Sequence, residues 1–129
     1  MSGARTNRRQ EAMALLERLE PEAPGRVADN LDDFHPQALE TLLGFAFADV
    51  VSREGIDLKT REMLTVAMLG AMGNAPGQLE FHLRAAMNTG VTREEIVEIV
   101  LQIAVYAGIP AAMNAMSAAK AAFRAREGA

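Results

Sequence analysis

The sequence predicts an all-α protein, and three observations support that. Half of its 129 residues are hydrophobic, yet only 5% are aromatic and none is Trp, so a core must be built from Ala, Leu, Val, Ile and eight Met. That mixture suits close-packed helices better than sheets, whose strands favour β-branched and aromatic residues. Apolar residues recur at helical spacing through most of the chain, and no stretch alternates as a half-buried strand does. At 13.9 kDa the chain can bury one real core and is small for two, so one domain is expected over residues 1–129.

Composition also excludes whole classes of function. A net charge of −4 and a pI near 5.2 argue against a nucleic-acid partner. Arg5, Arg8 and Arg9 form only a short basic run near the start, which solvation explains. With no cysteine, disulfides, thiolate nucleophiles and cysteine-held metals are ruled out. Two histidines cannot make a three-histidine metal site in one chain, and there is no phosphate-cradling Gly-rich loop, GxSxG or HExxH. Residues 1–20 lack the apolar segment of a secretory signal, and no apolar run nears the roughly 20 residues that span a bilayer. A cytoplasmic protein with no membrane partner is expected. Its chemistry falls to His, Glu, Arg, Tyr and backbone groups.

Met13, Leu15, Leu16 and Leu19 have the spacing of a helix from Thr6 to Leu19, which Pro21 and Pro24 stop. A short helix is expected from Gly25 to Phe34 around Val27 and Leu31, with Asp29, Asp32 and Asp33 facing water. These acids lack the glycine and terminal Glu of a calcium loop. His35 reads as a boundary residue, because Pro36 suits the first position of a third helix reaching about Ser52. In that helix Leu39, Leu42, Leu43, Ala46, Phe47 and Val50 form the expected buried stripe. Phe45 lies off its centre, where it lines a cavity or a subunit contact. Arg53, Glu54 and Gly55 make the next turn.

Asp57 to Gly90 predicts two helices joined by a tight turn. Asp57 is placed to cap the first, Gly73 to end it in the left-handed region, Pro76 to open the second and Gly90 to close it. Glu62 falls between Leu69 and Val66 on the first helix, which shows nothing polar between Thr65 and Asn74. A carboxylate buried there needs a partner, since an unpaired buried charge costs several kcal/mol. On the second helix Leu79, Leu83, Ala86 and Met87 form the apolar stripe, and His82 lies at its edge, facing the first helix. Each residue alone has a plain structural explanation, a dipole-stabilised acid or a boundary imidazole. On two consecutive helices expected to pack antiparallel, Glu62 and His82 are the candidate acid–base pair of the chain.

Thr92, with Glu95 three residues on, presents a capping box. The helix it opens, to Ala107, has only Glu98 and Gln102 polar in its body, more apolar surface than one chain of this size can cover. Phe81 and Ala85, opposite their own helix's stripe, add to that surface, and self-association is expected. Gly108 and Pro110 then punctuate, and an Ala-rich helix runs to about Ala125.

Four segments in order, FAFADVVSREG (45–55), DLKTREMLTVAMLGAMG (57–73), QLEFHLRAAMNTGVTREEIVEIVLQ (78–102) and AVYAGIPAAMNAMSAAK (104–120), resemble the carboxymuconolactone decarboxylase family. That family shares its fold with the alkylhydroperoxidase D group. The resemblance covers about residues 38–123 and implies an alkylhydroperoxidase D-like bundle of helical hairpins, with residues 36–125 as the family core and 1–35 as an N-terminal helical extension. It also implies assembly into trimers or hexamers, with sites near subunit contacts. Glu62 and His82 match the acid and imidazole of the peroxidase branch, but Ala75 and Gln78 stand where its two cysteines would be. The decarboxylase branch remains, and its members use no cofactor.

What the resemblance then implies is decarboxylation of γ-carboxymuconolactone or a related unsaturated lactone in aromatic catabolism. His82 would be the proton donor or enolate stabiliser, oriented by Glu62. Arg53 would hold the substrate carboxylate, with Phe45 and Tyr106 as further substrate contacts, while Arg84 points elsewhere, about 200° around the helix from His82. Val51 and Glu54 depart from the family's usual Tyr or Trp and Pro, beside the expected pocket. Two alternatives stand beside this reading: the same scaffold acting on another enolisable substrate, and a helical oligomer that binds a small ligand without chemistry.

Overall fold

The computed structural model describes residues 2–128, with side chains from residue 7 onward, so the side chain of Arg5 lies outside the described residues. Every regular element among them is helical: α1 (Ser2–Leu19), α2 (Ala23–Phe34), a π-helix (Glu40–Val51), α3 (Leu58–Met72), α4 (Pro76–Asn88), α5 (Arg93–Ala107) and α6 (Ile109–Glu127). The chain forms two compact units, residues 1–58 and 59–129, and the division falls at the first residue of α3.

In the first unit α1 packs along the π-helix and touches α2. Leu15, Leu16 and Leu19 of the predicted α1 stripe are buried, while Met13 is half-buried and Ala12 takes its place in the core. Two arginine forks tie the unit together. Arg8 donates through Nε and Nη2 to both oxygens of Asp49, at 3.1 and 2.9 Å, and Arg9 donates through Nη1 and Nη2 to both oxygens of Asp32, at 3.2 and 2.9 Å. Arg9 thereby holds the Asp32 carboxyl below its ordinary range, and Asp32 belongs to an ion pair within the fold. His35 ends α2 as a boundary residue, its Nδ1 accepting from the Gln37 N–H at 3.0 Å.

The third element departs from expectation. From Glu40 to Val51 the chain winds as a π-helix, with the Ser52 N–H donating to the Phe47 carbonyl five residues back. Such a helix advances about 4.4 residues per turn. In an α-helix Val50 would return to within about 20° of Leu39. At roughly 82° per residue it lands on the opposite side. Leu39, Gly44 and Phe47 are therefore the buried set, while Leu42, Phe45 and Val50 are exposed. The expected stripe fails at Leu42 and Val50 for this reason. Gly44 lies under the Arg8 guanidinium, where a Cβ would come within 3.3 Å of Arg8 Cζ.

The second unit follows its punctuation closely. Gly73 adopts φ +73° after α3, Pro76 opens α4, and Gly90 adopts φ +105° after it. The Gly90 N–H donates to the Met87 carbonyl and the Val91 N–H to that of Ala86, a Schellman closure that buries Val91 in the core. Thr92 Oγ1 accepts from the Glu95 N–H at 3.0 Å and Glu95 Oε1 from the Thr92 N–H at 2.9 Å, completing the capping box.

Both α4 and α5 pack on α6, whose Ala112, Ala115, Ala119 and Ala122 permit close approach. They enclose Val66, Leu79, Leu83, Met87, Ile96, Val100 and Ile103. The expected tight antiparallel pairing of α3 with α4 is not among the close backbone pairings. Instead α3 stands further off and meets the others through side chains. Gly70 is its nearest point, where a Cβ would lie 2.5 Å from Ile103 Cδ1 and 3.5 Å from Ala115 Cβ.

Only Ile96, Val100 and Ile103 of α5 are buried, leaving Val97, Leu101 and Val105 exposed, as expected of a helix apolar on every side. Ala85 corrects that expectation, because it is fully buried within the chain. No helix among the described residues is long and apolar enough to cross a membrane.

The α5 cap yields a measurable consequence. The Thr92 N–H, joined by Lys59 at 3.3 Å, holds the Glu95 carboxyl below its ordinary value of 4.5. A depressed carboxyl stabilises the fold above its unfolded pKa, and that contribution disappears as pH falls through the folded value. Glu95→Gln should therefore lower the thermal midpoint at neutral pH and flatten its decline below about pH 4.5, the two proteins converging in acid. Thr92→Ala should cost about 1 kcal/mol in urea titration at neutral pH.

Candidate active site

Among the described residues Glu62 is the only charged one in the buried core, with 1% of its surface exposed. Its position follows from the α3 pattern: Val66, one turn on, is buried beside it, and Leu69 is half-buried on the same face. Water cannot solvate that carboxylate, so a protein group must. His82 does so, its Nδ1 lying 2.8 Å from Glu62 Oε1. The predicted pair is thus in direct contact, and its bond bridges the two helices that the backbone holds apart.

The bond fixes the roles of the two ring nitrogens. With the carboxylate ionised, the proton must sit on Nδ1, and Nε2 is the nitrogen through which the ring would meet a reacting group. The His82 side chain keeps 13% of its surface exposed, so the pair touches solvent through the imidazole and not through the acid. A second contact bears on the same ring. Phe81 stands edge-to-face with it, centroids 5.0 Å apart and planes at 78°. An aromatic beside a histidine was a readable signal of that contact, but helical spacing had assigned Phe81 to the opposite face.

The other expected site residues belong to both units. Phe45 and Arg53 belong to the first unit, Phe45 on the exposed side of the π-helix and Arg53 exposed in the turn after it. Tyr106, 92% exposed, lines an apolar cleft of about 410 Å³ between α3 and α5 with Met63, Leu64, Ile99 and Gln102. A second cleft of about 480 Å³ lies where α3 ends and α4 begins, floored by Gly70, Ala75, Leu79 and Ala115 and edged by Asn114 and Ser117. A third, of about 500 Å³, lies beside the α5 cap and is lined by Arg93, Phe123 and Arg126. Neither Glu62 nor His82 lines any of these three clefts. Arg84 donates to Glu80 one turn back at 3.3 Å, consistent with its pointing away from His82. No three His, Cys, Asp or Glu residues are grouped to hold a metal among the described residues.

Residues 36–121 match the carboxymuconolactone decarboxylase family. A 4-carboxymuconolactone decarboxylase of Acinetobacter baylyi is 39% identical over 99 residues, 77% of this chain and 73% of that protein. An uncharacterized 15.0 kDa protein of Paracoccus denitrificans is 32% identical over 102 residues, 72% of this chain and 76% of its own length. A nitrosuccinic acid decarboxylase of Metarhizium robertsii is 38% identical over 87 residues, 67% of this chain and 60% of that protein.

Burial makes the pair energetically coupled, and the coupling is measurable. His82→Leu strands the Glu62 carboxylate and should destabilise the fold by about 3 kcal/mol. The double variant Glu62→Leu/His82→Leu should recover most of that loss, because no charge then remains buried. Urea unfolding of the two single variants and the double variant gives the coupling energy directly.

Proposed function

The chain belongs to the carboxymuconolactone decarboxylase family, and on that premise we propose that it is a cofactor-independent decarboxylase acting on γ-carboxymuconolactone or a related unsaturated lactone, in aromatic catabolism. The observation that carries the proposal is the 2.8 Å bond between a half-buried imidazole and a fully buried carboxylate. As the bond from ring carbon to carboxylate breaks, its electron pair delocalises into the unsaturated lactone carbonyl and CO₂ leaves. No separate electron sink is required. The imidazolium form of His82 presents Nε2–H to the enolate, delivers that proton to carbon and regains one from water. Glu62 keeps the ring oriented and stabilises its positive charge.

Arg53 is our choice to hold the substrate carboxylate, with Phe45 and Tyr106 contacting the rest of the molecule; all three are exposed on the chain. We further propose that copies of the chain assemble, as trimers or hexamers, through the apolar surface of Val97, Leu101 and Val105. That face is too apolar to stay in water, as patches of this kind mark protein contacts. A 13.9 kDa species by light scattering at micromolar concentration would overturn this assembly.

A second reading draws on the nitrosuccinic acid decarboxylase relative. Loss of CO₂ from a carbon bearing a nitro group leaves a nitronate, whose charge also rests on oxygen and whose carbon also awaits a proton. The same imidazole serves both reactions. Incubating the protein separately with γ-carboxymuconolactone and with nitrosuccinate, and following CO₂ release, separates the two. On whichever substrate turns over, His82→Gln, which keeps an N–H for Glu62 but carries no transferable proton, should lose two to four orders of magnitude, roughly, in rate. Glu62→Gln should lose less. Exhaustive chelation should leave turnover intact, and activity restored only by a divalent ion would exclude the cofactor-independent reading.

A further inference from the structure

We propose that the cleft beside the α5 cap is a binding site for a small organic carboxylate, which displaces Glu127 from Arg93 and is held by Arg93 and Arg126 together. The assignment does not depend on the decarboxylase reading, since neither Glu62 nor His82 lines this cleft. Its volume, about 500 Å³, falls within the range of small-ligand sites. Two arginines line it against one acid, in a chain whose net charge is −4. The remaining walls include Met87 and Val91, both buried, and the ring of Phe123. An occupant therefore needs a negative end and an apolar body.

Both guanidiniums are fixed in place and only partly used. Arg93 Cζ stands 4.4 Å over the centre of the Phe123 ring, a contact that holds the guanidinium by its face and leaves its edges for hydrogen bonds. Arg126 is tied to the end of α4, its Nη1 donating to Asn88 Oδ1 at 2.9 Å. Each guanidinium has five N–H donors. Glu127 takes one of those on Arg93, its Oε1 accepting from Nη1 at 2.9 Å. The same chain supplies the contrast: Arg8 and Arg9 each donate to both oxygens of an aspartate. A fork met by a single oxygen is an incomplete match to carboxylate geometry. The Arg93 and Glu127 side chains are also 59% and 64% exposed, and an ion pair so open to water contributes little. Glu127 is the last residue of α6, where helices fray. Its carboxylate thus shows that such a group reaches Arg93, and its weak hold leaves it replaceable. A free carboxylate can meet the Arg93 fork with both oxygens, take a second cation from Arg126, and rest its apolar body on Met87 and Val91.

Sodium benzoate is a suitable probe. Isothermal titration at constant ionic strength, set with sodium chloride, should show one site per chain with a Kd of roughly 1 mM. Acetate, which has the carboxylate without the ring, should bind about tenfold more weakly. Arg93→Gln should weaken benzoate binding about tenfold and Arg126→Gln about fivefold, as expected when a charged donor is lost. Glu127→Gln, which removes the competing charge, should tighten binding about threefold. Weaker binding by Glu127→Gln would mean that Glu127 supports the site, and displacement would be wrong. No benzoate binding at about twenty times the expected Kd, or binding that Arg93→Gln leaves unchanged, overturns the proposal. Inorganic phosphate bound as tightly as benzoate would make the cleft a general anion site and overturn the choice of a carboxylate. If circular dichroism shows that Arg93→Gln does not fold, Arg93→Lys, which keeps the charge and loses the fork, should still weaken binding several-fold.

Discussion

A carboxylate withdrawn from water is the constraint around which the second unit is arranged. Glu62 is buried among aliphatic side chains, a situation that costs several kcal/mol unless a donor meets it. His82 is that donor, and the requirement places α3 and α4 as much as hydrophobic packing does. The close helix pairs are α4 with α6 and α5 with α6, where rows of alanine allow backbones to approach. Helix α3 is held instead by side chains, by Gly70 against Ile103 and by the bond from acid to imidazole. One interaction thus serves architecture and, on the proposed function, also orients the proton-transfer group.

Two proteins named as decarboxylases, one for a lactone and one for a nitro acid, share about the same fraction of identical residues with this chain. Their substrates differ in skeleton but agree in where charge goes when CO₂ departs: onto oxygen, conjugated to a carbon that must then be protonated. On the proposed function, one well-oriented imidazole in a mostly apolar setting addresses that shared demand and leaves skeletal discrimination to other side chains.

Local signals were legible in the sequence and long-range ones were not. Gly73, Pro76, Gly90, Thr92 and Glu95 each act within a few residues of themselves, and the structure places every one in its expected role. Glu62 was legible because a lone acid on an apolar helix admits few explanations, and His82 because one turn of chain brings it near. The π-helix was illegible, since hydrogen bonding to the fifth residue leaves no periodic mark that a 3.6-residue pattern would detect, and Leu42 and Val50 were misplaced by that difference in winding. Ala85 was taken for outward-facing because its own helix already had an apolar stripe; α4 is nevertheless covered there as well. The stand-off of α3 arises from which helices α6 chooses to touch, a matter of three-dimensional fit that no single stretch encodes.

That stand-off has a mechanical consequence. The residues of α3 that line the Tyr106 cleft, Thr60, Met63, Leu64, Ala67 and Ala71, and those that line the cleft by the α4 start, Leu69 and Gly70, face sectors of one cylinder centred roughly 125° apart. Helix α3 is therefore a wall common to two clefts. Glu62 projects from the same side as Leu69, so its bond to His82 ties to α4 the face of that wall turned away from the Tyr106 cleft.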